Sequence, residues 1–171
     1  SLNFMRNVLD DKDISDNCDI AIEYQVPMTS KRVDFLISGI DNENNLNIVV
    51  IELKQWEDSK QTESKDVVET YTGKAIRTVA HPSYQAYSYA KTIKNFNEVA
   101  QKDDIDLIPC AYLHNYKEEN RSHIDNEFYA DAIKLAPIFL SKYSISLRNF
   151  IKKYIKKDSK GRNLLMEIDH G

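Results

Sequence analysis

Apolar and polar positions alternate in two rhythms along this chain, and the changes of rhythm mark its expected elements. Leu2, Met5, Val8 and Leu9 fall at the spacing of a short helix. Residues 19–26, 32–38 and 46–54 are rich in Ile and Val and bounded by turn residues, which predicts three strands. Residues 67–79 read as a hairpin that turns at Thr72-Gly73-Lys74. A helix is predicted from Pro82 or Ser83, because proline is tolerated in a first turn. Ala86, Tyr89, Ala90, Ile93, Phe96 and Ala100 then recur at helical spacing, and residues 106–113 predict a further strand. Residues 139–155 carry the clearest helical pattern, with Leu140, Tyr143, Leu147, Phe150, Ile151 and Tyr154 in one apolar stripe.

Strands first, then helices interleaved with another strand, predict a mixed α/β domain with helices packed on a sheet. Residues 48–51 (Ile-Val-Val-Ile) would be apolar on both faces, as in a central strand covered on each side. Glu52 and Lys54 then arrive at the end of that strand. Ionic groups so placed are costly unless they serve a site.

The 171 residues fit one domain with a single core, spanning 1–171, and there is no repeat, low-complexity tract or Pro/Gly-rich linker. At 42% hydrophobic and 29% charged, the composition is that of a soluble globular protein. No apolar run is long enough to cross a membrane, and the first residues make no signal peptide. Cys18 and Cys110 lack metal-ligand or redox spacing, so reduced thiols and a cytoplasmic location are expected. The net charge of −4 does not advertise a nucleic-acid binder. Its distribution adds something, because Lys142, Arg148, Lys152, Lys153, Lys156, Lys157, Lys160 and Arg162 cluster near the end with only Asp158 against them. That cluster is either a solvated helix face or a phosphate-contacting stripe.

Strand alternation puts Glu52 and Lys54 on one side of the sheet. The turn signal Asp41-Asn42-Glu43-Asn44-Asn45 centres a hairpin on Glu43, and Asp34 and Glu52 are equidistant from it. Residues opposed in this way share a face, with Cβ atoms roughly 4.5–5.5 Å apart. The same arithmetic about the connection at 27–30 pairs Glu23 with Asp34, so a meander would align Glu23, Asp34 and Glu52. Two carboxylates about 5 Å apart repel by roughly 3 kcal/mol at an effective dielectric of 20. Either one stays protonated or a cation sits between them, and Mg²⁺, which takes oxygen ligands and keeps several waters, suits the pair. Asp34 and Glu52 are thus candidate metal ligands, and Lys54 is a candidate to orient water or stabilise charge on a phosphoryl oxygen. The plainer alternative is a surface Glu52–Lys54 pair, with Glu23 bridging to Arg32 or Lys31.

Arg32-Val33-Asp34-Phe35-Leu36-Ile37 followed by Val50-Ile51-Glu52-Leu53-Lys54 resembles the signature of the PD-(D/E)xK nuclease superfamily, with Val33 where that family's name has proline. The resemblance implies a restriction-endonuclease-like three-layer core with a mixed central sheet flanked by helices. It also implies Mg²⁺ or Mn²⁺ held by Asp34 and Glu52, a water-assisting Lys54, and DNA as the partner. Gln85-Ala86-Tyr87-Ser88-Tyr89 resembles the Q-x-x-x-Y helix of the RecB-like branch, which implies that Gln85 and Tyr89 look toward the catalytic pocket. A core role for Tyr89, with Gln85 at its edge, fits the pattern equally. Together with Glu23-Tyr24-Gln25-Val26-Pro27 and residues 81–86, these segments resemble the N-terminal domain of bacterial proteins that couple a nuclease-like module to a helicase-like ATPase. That likeness covers roughly the first hundred residues and implies a piece of a longer chain, with the ATPase as a C-terminal partner domain and DNA processing or phage defence as its setting. Many nucleases of this kind cut as dimers, and no patch in the sequence predicts one. A non-catalytic binding module on the same fold is the competing reading.

Of the remaining residues, Trp56 reads as core rather than a base-stacking platform, and His81 as a structural cap. His114, His123 and His170 have no metal-ligand spacing.

Overall fold

The computed structural model describes residues 2–12, 14, 18–158 and 163–170. Three strands, β1 (Asp19–Gln25), β2 (Arg32–Ile40) and β3 (Leu46–Lys54), form an antiparallel meander. Two more, β7 (Asp106–Leu113) and β8 (Ile138–Leu140), join parallel to β3 and to each other, giving the mixed order β1-β2-β3-β7-β8. Central β3 is buried from Asn47 through Leu53, as its continuous apolar run requires. The long connection from β3 to β7 carries a second, smaller antiparallel sheet of β4 (Lys60–Gln61), β5 (Val67–Thr72) and β6 (Ala75–Ala80). Gly73 and Lys74 both have positive φ (57° and 67°), the conformation a two-residue hairpin turn needs to match the twist of its strands.

Helices cover both faces of the main sheet. On one side α1 (Leu2–Leu9) and α5 (Ser144–Tyr154) bring Met5, Val8, Leu147 and Ile151 against Phe35, Ile37, Val49 and Ile51. On the other, α2 (Pro82–Phe96), α3 (Glu98–Lys102) and α6 (Leu164–His170) bring Ala90, Ile93, Ala100 and Leu164 against Leu36, Ile48 and Val50. A third cluster, with Trp56, Val68, Leu113, Tyr116, Tyr129 and Leu140, joins the small sheet to the ends of β7 and β8; α4 (Ala130–Leu135) lies just before β8. The molecule is therefore α/β, with a mixed sheet flanked by helices. No helix among the described residues is long and apolar enough to cross a membrane.

Most strand boundaries fall where the alternation places them, but β4 has no counterpart there. The apolar spacing from Ala86 to Ala100 is broken at Asn97, which caps α3 by accepting from the Ala100 amide (3.0 Å) and leaves Phe96 exposed. The helix expected over 139–155 starts only at Ser144, because Ile138–Leu140 is strand β8. Leu140 packs in the third cluster rather than with Leu147 and Ile151, and Tyr143 is exposed beneath the Arg121 guanidinium, 4.9 Å from its ring centroid. A three-residue apolar run satisfies both periodicities, so spacing alone merges the strand into the helix that follows.

Gly39, near the end of β2, makes room for the segment after α5. A Cβ there would lie 2.8 Å from both Ile155 Cγ2 and the Lys157 carbonyl oxygen. That segment is itself tied to β2 by hydrogen bonds from the Lys156 and Lys157 amides to the Ile40 carbonyl. We expect Gly39→Ala to destabilise the fold by about 1–3 kcal/mol, the usual cost of overpacking, as read by urea denaturation. Unchanged stability would mean that the 155–157 segment yields freely.

Candidate active site

The β2–β3 hairpin carries the two candidate acids. Asp41 fixes the turn by accepting hydrogen bonds on Oδ1 from the Glu43 and Asn45 amides (2.9 and 3.0 Å), so the hairpin is centred on Glu43. Cα partners then run from Ile40 with Leu46 to Phe35 with Ile51, and the paired ladder ends one position short of Asp34 and Glu52. Here the side chains take over from the ladder. The Asp34 amide donates to Glu52 Oε1 (3.3 Å), and the Leu53 amide donates to Asp34 Oδ2 (2.9 Å). Each carboxylate thus takes up a backbone N–H of the other acid's strand. Sequence patterns contain no signal for these amide partners, which depend on how the strand ends are placed.

Glu52 is 2% exposed. Burial pushes its carboxyl up to about 8; the Asp34 charge and a hydrogen bond between the two carboxyls push the same way, against Lys54 and the Asp34 amide. Lys54 Nζ stands 3.9 Å from Glu52 Oε2 and 5.5 Å from the centroid of Trp56, whose ring is buried in the third cluster. Ile48 and Val50 pack on Ala90 and Ile93, so strand alternation turns Glu52 and Lys54 toward α2. Gln85 Nε2 on that helix donates to the Tyr89 hydroxyl (2.8 Å). The Tyr89 phenol is raised by burial and, against the Gln85 hydrogen bond, by the charges of Glu52 and Asp34. Its ring packs on the α2-side core, and its hydroxyl lies in the field of the two acids.

Glu23 does not join them. Its register position is the expected one, since Ile22 pairs with Phe35 and Tyr24 with Val33 on either side. Its backbone, however, is left-handed (φ 53°), its side chain is exposed, and its carbonyl accepts a hydrogen bond from Arg32 Nη1 (3.2 Å). β1 is an edge strand, so no outer neighbour holds this residue extended. The charges acting on Glu52 are those of Asp34 and Lys54.

Other candidates resolve structurally. His81 caps α2: Nδ1 accepts from the Ser83 amide (3.1 Å) and Nε2 faces the Ile124 carbonyl (2.9 Å), while burial keeps the ring neutral. His114 is buried and stacked on Phe4, with ring centroids 4.0 Å apart, and His123 pairs with Asp58 (2.8 Å). Cys110 is buried, and burial pushes its thiol up. The basic cluster divides. Arg148 caps α1 through the Val8 and Asn7 carbonyls, and Lys152 pairs with Asp11, whereas Lys142, Lys153 and Lys156 are exposed. Lys160, Arg162 and the His170 side chain lie outside the described residues. Arg148 and Lys152 belong to α5, on the sheet face opposite the acids, so they form no phosphate track leading to Glu52.

Among the described residues no three His, Cys, Asp or Glu side chains gather into a metal-binding group. The donor set is two carboxylates, one of them buried, its carboxyl raised first by burial and then by the charge of the other. Such a pair fits a hard cation that keeps much of its hydration and does not require a full protein cage. Fold and site together define an α/β domain with a buried carboxylate pair and a lysine at the end of its central strand. No protein-family model, curated protein or solved structure matches the chain.

Proposed function

We propose that this chain is a metal-dependent nuclease domain that hydrolyses DNA phosphodiester bonds, on a restriction-endonuclease-like fold of the PD-(D/E)xK type. The observation that carries this reading is the convergence of Asp34, Glu52 and Lys54 on one face at the end of β3, with Glu52 buried. Asp34 and Glu52 would hold Mg²⁺ or Mn²⁺. A divalent cation there would supply the positive charge that favours the ionised form of Glu52 and that a phosphodiester needs in its transition state. Lys54 donates a hydrogen bond to the attacking water or to a phosphoryl oxygen, where negative charge grows as the new P–O bond forms and the ester oxygen departs with its electron pair. Gln85 holds the Tyr89 hydroxyl, and that hydroxyl donates toward the acids or the strand bound between them. Glu23 has no part in this assignment.

One observation favours a non-catalytic binding module instead: Arg148 and Lys152 of the basic cluster are committed to the end of α1 and to Asp11, on the sheet face away from the acids. The two readings part in a single assay. Single- and double-stranded DNA are incubated with the protein, with and without Mn²⁺, beside Glu52→Gln. The nuclease reading expects cleavage that needs Mn²⁺ and disappears in the variant. No cleavage together with no Mn²⁺ binding by calorimetry would replace it with the binding module. A helicase-like ATPase is the partner domain that this reading proposes.

A further inference from the structure

Gln55, directly after Lys54, opens a cleft of about 710 Å³ between the end of the main sheet and the β5–β6 hairpin. Its lining is unlike a phosphate track. Trp56, the only tryptophan, Gln55 and Asn115 come from the main body, where Asn115 Nδ2 donates to the Gln55 carbonyl (3.2 Å) and leaves its Oδ1 for a ligand. Tyr71 and Ile76 come from the hairpin, where they are Cα partners and stand 67% and 70% exposed. Two large apolar side chains kept side by side in water, over a cleft, call for a flat apolar ligand. The charged lining is Glu57, Asp58 and Glu69 with Lys60: Glu57 meets Lys117 (3.9 Å), Asp58 shares a hydrogen bond with His123 Nδ1 (2.8 Å), and Glu69 is the Cα partner of Lys60. Lys60 is the one cation among the lining residues, so the cleft is not built to grip a phosphate. A neutral aromatic ring with donor and acceptor edges fits both properties, since Gln and Asn amides match base edges and aromatic rings stack on base faces.

We propose that this cleft is a subsite for an unpaired nucleobase of the substrate strand, stacked on Tyr71 and Ile76 and read by Gln55 and Asn115. The inference rests on the nuclease reading and adds to it a substrate class, DNA with at least one unstacked base next to the cleaved linkage. A base inside a duplex offers its face only to its neighbours, so single strands enter and intact duplexes do not.

Trp56 is its own reporter. Its emission is followed while the protein, held in EDTA so that nothing is cleaved, is titrated with single-stranded oligothymidylate or with a duplex of the same length. Saturable quenching by the single strand is expected, weakened roughly 5–100-fold by Tyr71→Ala and retained by Tyr71→Phe. Both positions are exposed, so neither substitution threatens folding, and Ile76→Ala provides a second test from the other strand. No quenching, equal quenching by the duplex, or unchanged affinity in both alanine variants would overturn the subsite. Cleavage in Mn²⁺ is read separately. Cleavage without quenching removes the cleft and leaves the nuclease, whereas quenching without cleavage removes the nuclease and leaves a base-binding cleft.

Discussion

Lys54→Met is expected to slow metal-dependent cleavage by roughly 100- to 1000-fold, the cost of losing one donor aimed at developing charge. Methionine keeps an unbranched stem beside Trp56, so the packing that holds the end of β3 in place survives. The ammonium lost is 3.9 Å from Glu52 and holds the Glu52 carboxyl down, so its removal pushes that group further up. Cation affinity near neutrality then falls as well, because a proton must leave Glu52 before a cation can bind. Single-turnover rates at saturating Mn²⁺, compared near pH 7 and pH 9, separate the two effects. A deficit that persists at pH 9 places Lys54 at the reacting water or phosphate. Full recovery at pH 9 would restrict Lys54 to keeping Glu52 ionised and defeat its assignment as a donor in the transition state.

The parts of this site that were legible in the sequence are those that chain counting controls. Asp41 closes a five-residue turn with its own side chain, so the count brings Asp34 and Glu52 to the positions just past the paired ladder, where hydrogen bonds to backbone amides join them. Glu23 obeys the same count and still misses the site, because register says nothing about φ, and an edge strand can turn one residue left-handed without losing its pairing on either side. β8 was hidden by its length, three apolar residues running into a helix. β4 was hidden by its polarity, two exposed residues whose only strand signal is the partner across from them. The cleft was invisible for a different reason. Tyr71 and Ile76 look like ordinary strand residues, and only the placement of the small sheet over Gln55 and Trp56 gives their exposure a meaning. Local patterns thus gave the acids, whereas the surroundings that decide what the acids can do are tertiary.

Glu52→Gln is expected to stabilise the metal-free protein at alkaline pH by several kcal/mol while removing its response to divalent cations. In the folded state the Glu52 carboxyl is raised from 4.5 to about 8. Below pH 4.5 folded and unfolded chains both hold this proton, and the group costs nothing. Between 4.5 and 8 the unfolded chain gives it up while the folded one keeps it, so stability falls as pH rises. Above 8 the penalty is complete, on the order of 5 kcal/mol at most for a shift of this size. Glutamine keeps an oxygen to accept the Asp34 amide and an amide to face the Asp34 carboxylate, so it reproduces the protonated acid at every pH. Urea denaturation in EDTA from pH 4.5 to 9 should therefore show a decline in the wild type that is largely absent from the variant. Mn²⁺ should raise wild-type stability, through the linkage of binding to folding, and leave Glu52→Gln nearly unmoved. Parallel pH profiles would mean that Glu52 ionises freely in the fold, and the case for a cation between the two acids would lose its physical basis. An equal Mn²⁺ response in both proteins would move the cation away from Glu52 altogether.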